Sequence, residues 1–232
     1  MGGFLEAASA IISRAESTVE LNSQNLVNMT STGFKRRFAT FSQQLANGST
    51  ELSSTLSVDF SPGKETQTSN PADLAISGQG FFMLRSDGGT LYGRDGAFHR
   101  DGDGRLVTSA GLAVQAADGG DIVIPDAAFE VASDGTITAA GAPVARLAVV
   151  DFADPSVLAA ASGGLFSAPE HAAQPVALPV IHQGALESSN VSNGVEMIAM
   201  MEGLRRAESG QRLVQVYDDL MGRVLTTLGS GS

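Results

Sequence analysis

The chain has 232 residues, 43% of them hydrophobic, with 14 basic and 25 acidic side chains and no cysteine. A net charge of −11 argues against a broad grip on phosphate backbones or anionic lipid heads, so no nucleic-acid partner is expected. The absence of cysteine excludes disulfide frameworks and thiolate metal sites.

The N-terminal stretch has a helical period. Leu5, Ala8, Ile12, Ala15, Val19, Asn22, Leu26 and Met29 follow alternating steps of three and four with only Asn22 polar, which is a heptad seam. Met1-Gly-Gly-Phe-Leu-Glu6 lacks the basic region and apolar segment of a secretory leader, and an ordinary cleaved leader is not expected. No apolar run approaches the ~18 residues that a bilayer span requires, so direct membrane insertion is not expected either. The pattern gives way at Asn25 and Asn28, whose amides can bond backbone groups at a helix end. Gly33 suits the chain reversal after a helix, and Phe34 can anchor the outgoing segment. Lys35-Arg36-Arg37, the one basic cluster, reads as a solvated helix-end or interface feature.

Residues 34–70 read as an extended connector, rich in Ser, Thr, Asn and Gln from 42 onward. The middle, 71–182, reads as β. Short apolar runs alternate with Gly88-Gly89, Asp95-Gly96, Asp103-Gly104, Gly119-Gly120 and Asp134-Gly135, a spacing that predicts tight antiparallel hairpins. All 8 prolines fall between Pro62 and Pro179, and ten of the 11 phenylalanines between Phe34 and Phe166, so the aromatic core is placed in the middle. This region also holds 13 acidic and 5 basic residues, making it the acidic surface.

Chemical motifs are weak. Gly78-Gln79-Gly80 lacks the third glycine of a dinucleotide loop, since Met83 stands there, and reads as a strand-entry turn. Asp101-Gly102-Asp103-Gly104 starts like a calcium loop, but Arg105 occupies the next ligand position, which favours a hairpin. His99, His171 and His182 have no metal-ligand spacing. No Gly-x-Ser-x-Gly elbow occurs, although distant Ser, His and Asp residues could still converge in space. Neither a cofactor nor a metal is expected, and no enzymatic activity.

The segment 183–232 reads as a second long helix. Met197, Met200, Leu204, Ala207, Gln211, Val214, Asp218, Met221, Leu225 and Leu228 repeat the alternating steps. Asn193 can cap it with Glu196 three residues on, and Glu202 to Arg206 adds an i,i+4 pair. The fold class is therefore α+β: long N- and C-terminal helices forming a coiled-coil-like assembly layer, residues 1–33 and 183–232, with a central antiparallel β domain. Two apolar stripes need partners. They either close the domain as a helical hairpin or are assembly elements that meet other subunits.

Three separated motifs carry a family resemblance. Asn25-Leu26-Val27-Asn28-Met29-Thr30-Ser31-Thr32-Gly33-Phe34-Lys35 is similar to "NNLANxxTxGFK", departing at Gln24 and Val27. Residues 74–115 look like "GxGFFxV…YTRxGxFxxDxxGxLVTxxGxxVxG", with Gly93 in place of the common Thr. Residues 184–209 resemble "GxLExSNVxxxxEMxxMIxxxRxYE", with Ala207 where the aromatic usually sits. By these the chain is identified as a member of the bacterial flagellar basal-body rod protein family, related to hook proteins. The resemblance implies a structural subunit that polymerises through its terminal helices into a helical tube and transmits torque, located in the periplasmic rod of the basal body. The implied partners are copies of itself, other rod subunits and the flagellar type III export apparatus. The candidate assembly residues are Leu5, Ile12, Val19, Asn25, Leu26, Asn28, Met29, Gly33 and Phe34, with Met197, Met200, Leu204, Val214, Met221, Leu225 and Leu228. The alternatives are a secreted β-rich adhesive or ligand-binding domain, or a cell-wall hydrolase.

Overall fold

The computed structural model describes residues 2–46, 49–125 and 128–229; the side chains of residues 2–4, 41–46, 49–54, 224, 225 and 227–229 lie outside that description. The chain divides into two compact units, one of Met1–Val27, Arg37–Asp59 and Val191–Ser232, the other of Asn28–Arg36 and Phe60–Asn190. The class is α+β, with an N-terminal helix, a C-terminal helix and antiparallel strands between them.

The first unit holds α1 (Gly2–Val27), α2 (Asn193–Gly229) and an antiparallel pair, β1 (Arg37–Ala46) and β2 (Ser49–Val58). Both helices are free of proline, which is why helices this long run unbroken. The first i→i+4 bond of α2 runs from Glu196 N to Ser192 O at 3.0 Å, so the expected cap residue Asn193 is instead the first residue within the helix. The hairpin departs from the connector expected over 34–70. Its register runs from Arg37↔Val58 to Ala46↔Ser49. The sequence signal for it is Asn47-Gly48 between two runs containing alternating Thr, Phe, Leu and Val, the dipeptide that most favours a two-residue hairpin link.

The second unit is all β and short turns. In chain order its strands are β3 (Glu65–Gln67), β4 (Leu74–Ser77), β5 (Phe81–Ser86), β6 (Gly89–Gly93), β7 (Phe98–Arg100), β8 (Leu106–Thr108), β9 (Ala113–Val114), β10 (Phe129–Val131), β11 (Thr136–Ala139), β12 (Ala142–Arg146), β13 (Val149–Phe152), β14 (Ala159–Ala160), β15 (Phe166–Ser167), β16 (Ala173–Pro175), β17 (Val180–Gln183) and β18 (Ala185–Glu187). The largest sheet runs β14-β15-β6-β5-β9-β8-β7, with β13 joining β5 and β16. Strand β5 is its centre: β6 covers one edge, while β13 and β9 divide the other. The last strands return to the first, β17 pairing with β4 and β18 with β3. Residues 185–187, expected in the C-terminal helical segment, thus close the β unit.

Alternation along β5 sets two apolar layers, because adjacent strand residues face opposite sides. Phe82 enters the main core with Leu84, Leu106, Ile122, Ile137 and Leu147, all at most 2% exposed, and meets Phe98 edge to face at 5.1 Å between ring centroids. Phe81 faces the other way into a ring cluster, 5.6 Å from Phe60, 5.7 Å from Phe152 and 6.0 Å from Phe166. Such edge-to-face pairs add about 0.5–1.5 kcal/mol each beyond their burial.

Four of the five predicted turns lie between antiparallel partners: Gly88-Gly89 within β5–β6, Asp103-Gly104 within β7–β8, Gly119-Gly120 inside the Gln115↔Asp121 bridge, and Asp134-Gly135 within β10–β11. Asp95-Gly96 is different, since β6 and β7 are not neighbours in the sheet. A Cβ on Gly96 would sit 1.7 Å from Leu74 O, so its lack of a side chain serves close backbone approach, not a hairpin.

Candidate functional site

The segment after α1 is held in the β unit by polar contacts. Gly33 adopts φ +64°, and its N–H donates to Glu187 O at 2.8 Å. Thr32 Oγ1 donates to Asp95 Oδ1, and Phe34 is 5% exposed. Lys35 turns inward. At 2% exposure its Nζ donates to Glu187 Oε1 at 2.6 Å and to Ser61 O at 2.8 Å. The solvated role expected for this lysine is therefore corrected: its chain direction is fixed by the Gly33 turn, and a buried carboxylate meets it.

Glu187, 2% exposed, also accepts from Arg94, whose Nε and Nη2 both lie 2.7 Å from Oε2. Arg94 further donates to Gly80 O at 2.7 Å and to Ile76 O at 3.0 Å, and Gly63 N donates to Glu187 Oε1 at 2.7 Å. Two cations thus share one anion out of water, and carbonyl oxygens take up remaining donors. Such a group is tolerable only when its hydrogen bonds are satisfied. Lys35, Arg94 and Glu187 come one each from the three sequence motifs, so the motifs converge on one buried junction. None of the three was among the candidate assembly residues.

Gly93, which departs from the usual threonine, lies beside this junction. A Cβ there would stand 2.7 Å from Leu165 Cδ2, so this chain has filled the space from the other side.

Within the helical unit, Asn25 is fully buried. Its Nδ2 donates to Arg37 O at 2.7 Å and to Glu196 Oε2 at 3.1 Å, while Oδ1 accepts from Arg37 N at 2.9 Å. One amide thereby ties α1 to the start of β1 and to the first turn of α2. Asn28, half-buried, bonds locally: its backbone O accepts from Ser31 N at 3.1 Å.

The two helices pack antiparallel along the predicted α1 seam. Ala8 and Ala15 are 1% and 2% exposed, and Ile12, Val19 and Leu26 are half-buried. Opposite them the α2 seam differs from the predicted one. Glu196, Met200, Gly203, Ala207, Gly210, Val214, Tyr217 and Met221 are buried or half-buried, whereas Met197 and Leu204 are each 50% exposed and Gln211 and Asp218 are exposed. Glycine chooses this face: a Cβ on Gly203 would lie 2.8 Å from Val19 Cγ2, and one on Gly210 2.7 Å from Ile12 Cγ1. Close backbone approach outweighs the large residues, which remain on the outside. Leu5 at 40% and Met29 at 37% are exposed as well, and the side chains of Leu225 and Leu228 lie outside the described residues.

Elsewhere, His182 Nδ1 lies 2.6 Å from Glu65 Oε2, linking β17 to β3. This hydrogen bond, chiefly, holds the Glu65 carboxyl below its usual value, with the Ser77 hydroxyl also lowering it against the opposing effect of burial. A depressed carboxylate contributes stability that is full above its unfolded pKa and fades as pH falls through the folded one. His182→Ala is expected to move the Glu65 titration up towards the ordinary carboxylate range in an NMR pH series. An unmoved titration would contradict the link.

Among the described residues, no three His, Asp or Glu side chains cluster as a metal site, and no helix is long and apolar enough to cross a membrane. A buried ionic junction closes the β unit, and apolar side chains stay exposed on the helix pair of the other unit; these features point to a structural class of protein. Residues 75–139 match the model of the flagellar hook protein FlgE/F/G D1 domain, and residues 182–227 that of the flagellar basal body rod FlgEFG protein C-terminal region. The flagellar basal-body rod protein FlgF of Caulobacter vibrioides is 31% identical over 224 residues, covering 91% of each chain. The rod protein FlgG of Borreliella burgdorferi is 27% identical over 255 residues, covering 94% of this chain and 96% of its own. FlgF of Escherichia coli is 29% identical over 225 residues, covering 88% and 89%. The chain belongs to the flagellar basal-body rod protein family, as a structural subunit of the periplasmic rod in the basal body.

Proposed function

We propose that this subunit polymerises through α1 and α2 into the helical tube of the rod and transmits torque along it, in contact with copies of itself and with other rod subunits. The observation that carries this reading is the outer face of α2, where Met197, Ile198, Met201 and Leu204 are each 50–57% exposed on a helix whose other side is already packed. Apolar surface in such a row marks a protein-contact face. The candidate residues then divide by role. Ile12, Val19, Leu26, Met200, Val214 and Met221 hold the helix pair together, while Leu5, Met29, Met197 and Leu204 meet neighbours, a role also assigned to Leu225 and Leu228. Asn25, Asn28, Gly33 and Phe34 fix the exit from α1.

The subunit is FlgF-like in this reading, because alignment with FlgG spreads 94% of this chain over 255 positions, whereas alignment with FlgF spreads 91% over 224 and so needs fewer insertions. Passage through the flagellar type III export apparatus completes the proposal. A non-enzymatic role is part of this reading, in keeping with the structural rod proteins that the chain resembles. Basal bodies from a strain deleted for this chain are expected to end in an incomplete rod. Complete rods and normal swimming would refute the assignment.

A further inference from the structure

The α1–α2 pair has two unlike flanks. On one, a groove of roughly 380 Å³ opens between the helices, lined by Val19, Ser23, Leu204 and Ala207 and edged by Glu16 and Glu20. Both glutamates are exposed, and Glu208, also exposed, follows Leu204 by one helical turn on the same side. The groove is therefore apolar at its floor and acidic at its rim.

At about 100° per residue, Arg206, Leu213 and Leu220 lie roughly half a turn around α2 from Leu204. They form the opposite flank, with Val216 beside them. Leu213, Val216 and Leu220 are 40%, 55% and 56% exposed, and the Arg206 side chain is 70% exposed. Its recorded ion pair is with Glu202 at 3.6 Å, an exposed i,i+4 contact of little net strength. This flank is an apolar ridge with a cation near its N-terminal end.

We propose that the Arg206–Leu220 flank of α2 in one copy seats in the acidic groove of the next copy, with Leu213 entering beside Val19 and Leu204 and Arg206 meeting Glu20. The proposal rests on the rod reading above and names its contact. Charge and shape both select this occupant: ridge meets groove, and guanidinium meets carboxylate. Because the two surfaces differ, the contact is heterologous and leaves a free groove at one end and a free ridge at the other, as an open helical assembly requires.

The chain has no cysteine, so single thiols can be placed without background. Full-length Glu20→Cys and Arg206→Cys chains, mixed and treated with a short bismaleimide, are expected to give a cross-linked dimer that neither chain gives alone. Charge reversal supplies the second arm. Glu20→Arg or Arg206→Glu alone is expected to weaken self-association in sedimentation roughly tenfold or more, and the double variant to regain most of it. Circular dichroism is expected to stay unchanged, since both positions are exposed. Equal cross-linking of Glu20→Cys with itself, reversals without effect, or a wild-type chain that stays monomeric into the millimolar range would each overturn the docking. Intact association in the reversals together with incomplete rods in the deletion strain would reject this contact and leave the rod reading standing.

Discussion

Replacing Glu187 by alanine is expected to cost the β unit about 3–5 kcal/mol, the typical penalty for stranding a buried charge, and here two cations are stranded at once. Lys35 and Arg94 are 2% and 4% exposed, so neither reaches water without opening the structure. A domain is stable by only about 5–15 kcal/mol, so the loss is a large part of the whole. Urea unfolding of the full chain, followed by near-ultraviolet circular dichroism from the ring cluster, measures it directly. Glu187→Gln is expected to lose less, because its carbonyl still accepts one hydrogen bond. A midpoint unchanged in the alanine variant would mean that the junction is not closed in solution.

Gly33→Val is expected to be the second severe change, by about 3 kcal/mol or more. Strain at φ +64° and overpacking each contribute about 1–3 kcal/mol for a branched side chain. The Cβ would lie 2.2 Å from Asp95 N and 2.3 Å from Arg94 C, and backbone on that side is fixed by the junction. The Gly33 N–H bond to Glu187 O would be lost with the turn. Thermal unfolding should separate this from Gly111→Ala, another left-handed glycine at φ +79° but with open space around it, which meets strain alone. Equal losses in the two variants would show that the close approach to Arg94 and Asp95 carries no weight.

The sequence made some of this visible and hid the rest for physical reasons. The α1 seam was readable because Ala8, Ile12, Ala15 and Val19 pack at the period that a helix imposes. The α2 seam was misread by one position at alternate steps. Hydrophobic patterning gives weight to Leu204 and Met197, whereas contact distance is decided by Gly203 and Gly210, which have no side chain to register. The β region announced itself through its turns, but strand order did not, since β5 pairs with partners as distant as β13. Least legible was the ionic junction. Glu187 lies 152 positions from Lys35 and 93 from Arg94, and no local period reports on a pair so far apart. Lysine followed by two arginines looks like a surface cluster until the fold brings a carboxylate to the first of them.

The position of Glu187 in the chain has a consequence for biosynthesis. Ribosomes deliver polypeptides amino end first, so Lys35 and Arg94 both emerge long before their shared acid. Until residues 180–183 appear, only shortly before Glu187, the edge of β4 also lacks β17, and Ile76 has no cross-strand partner in Ile181. A nascent subunit therefore stays unlatched for most of its translation, and the late arrival of a single carboxylate sets the moment at which the domain can shut.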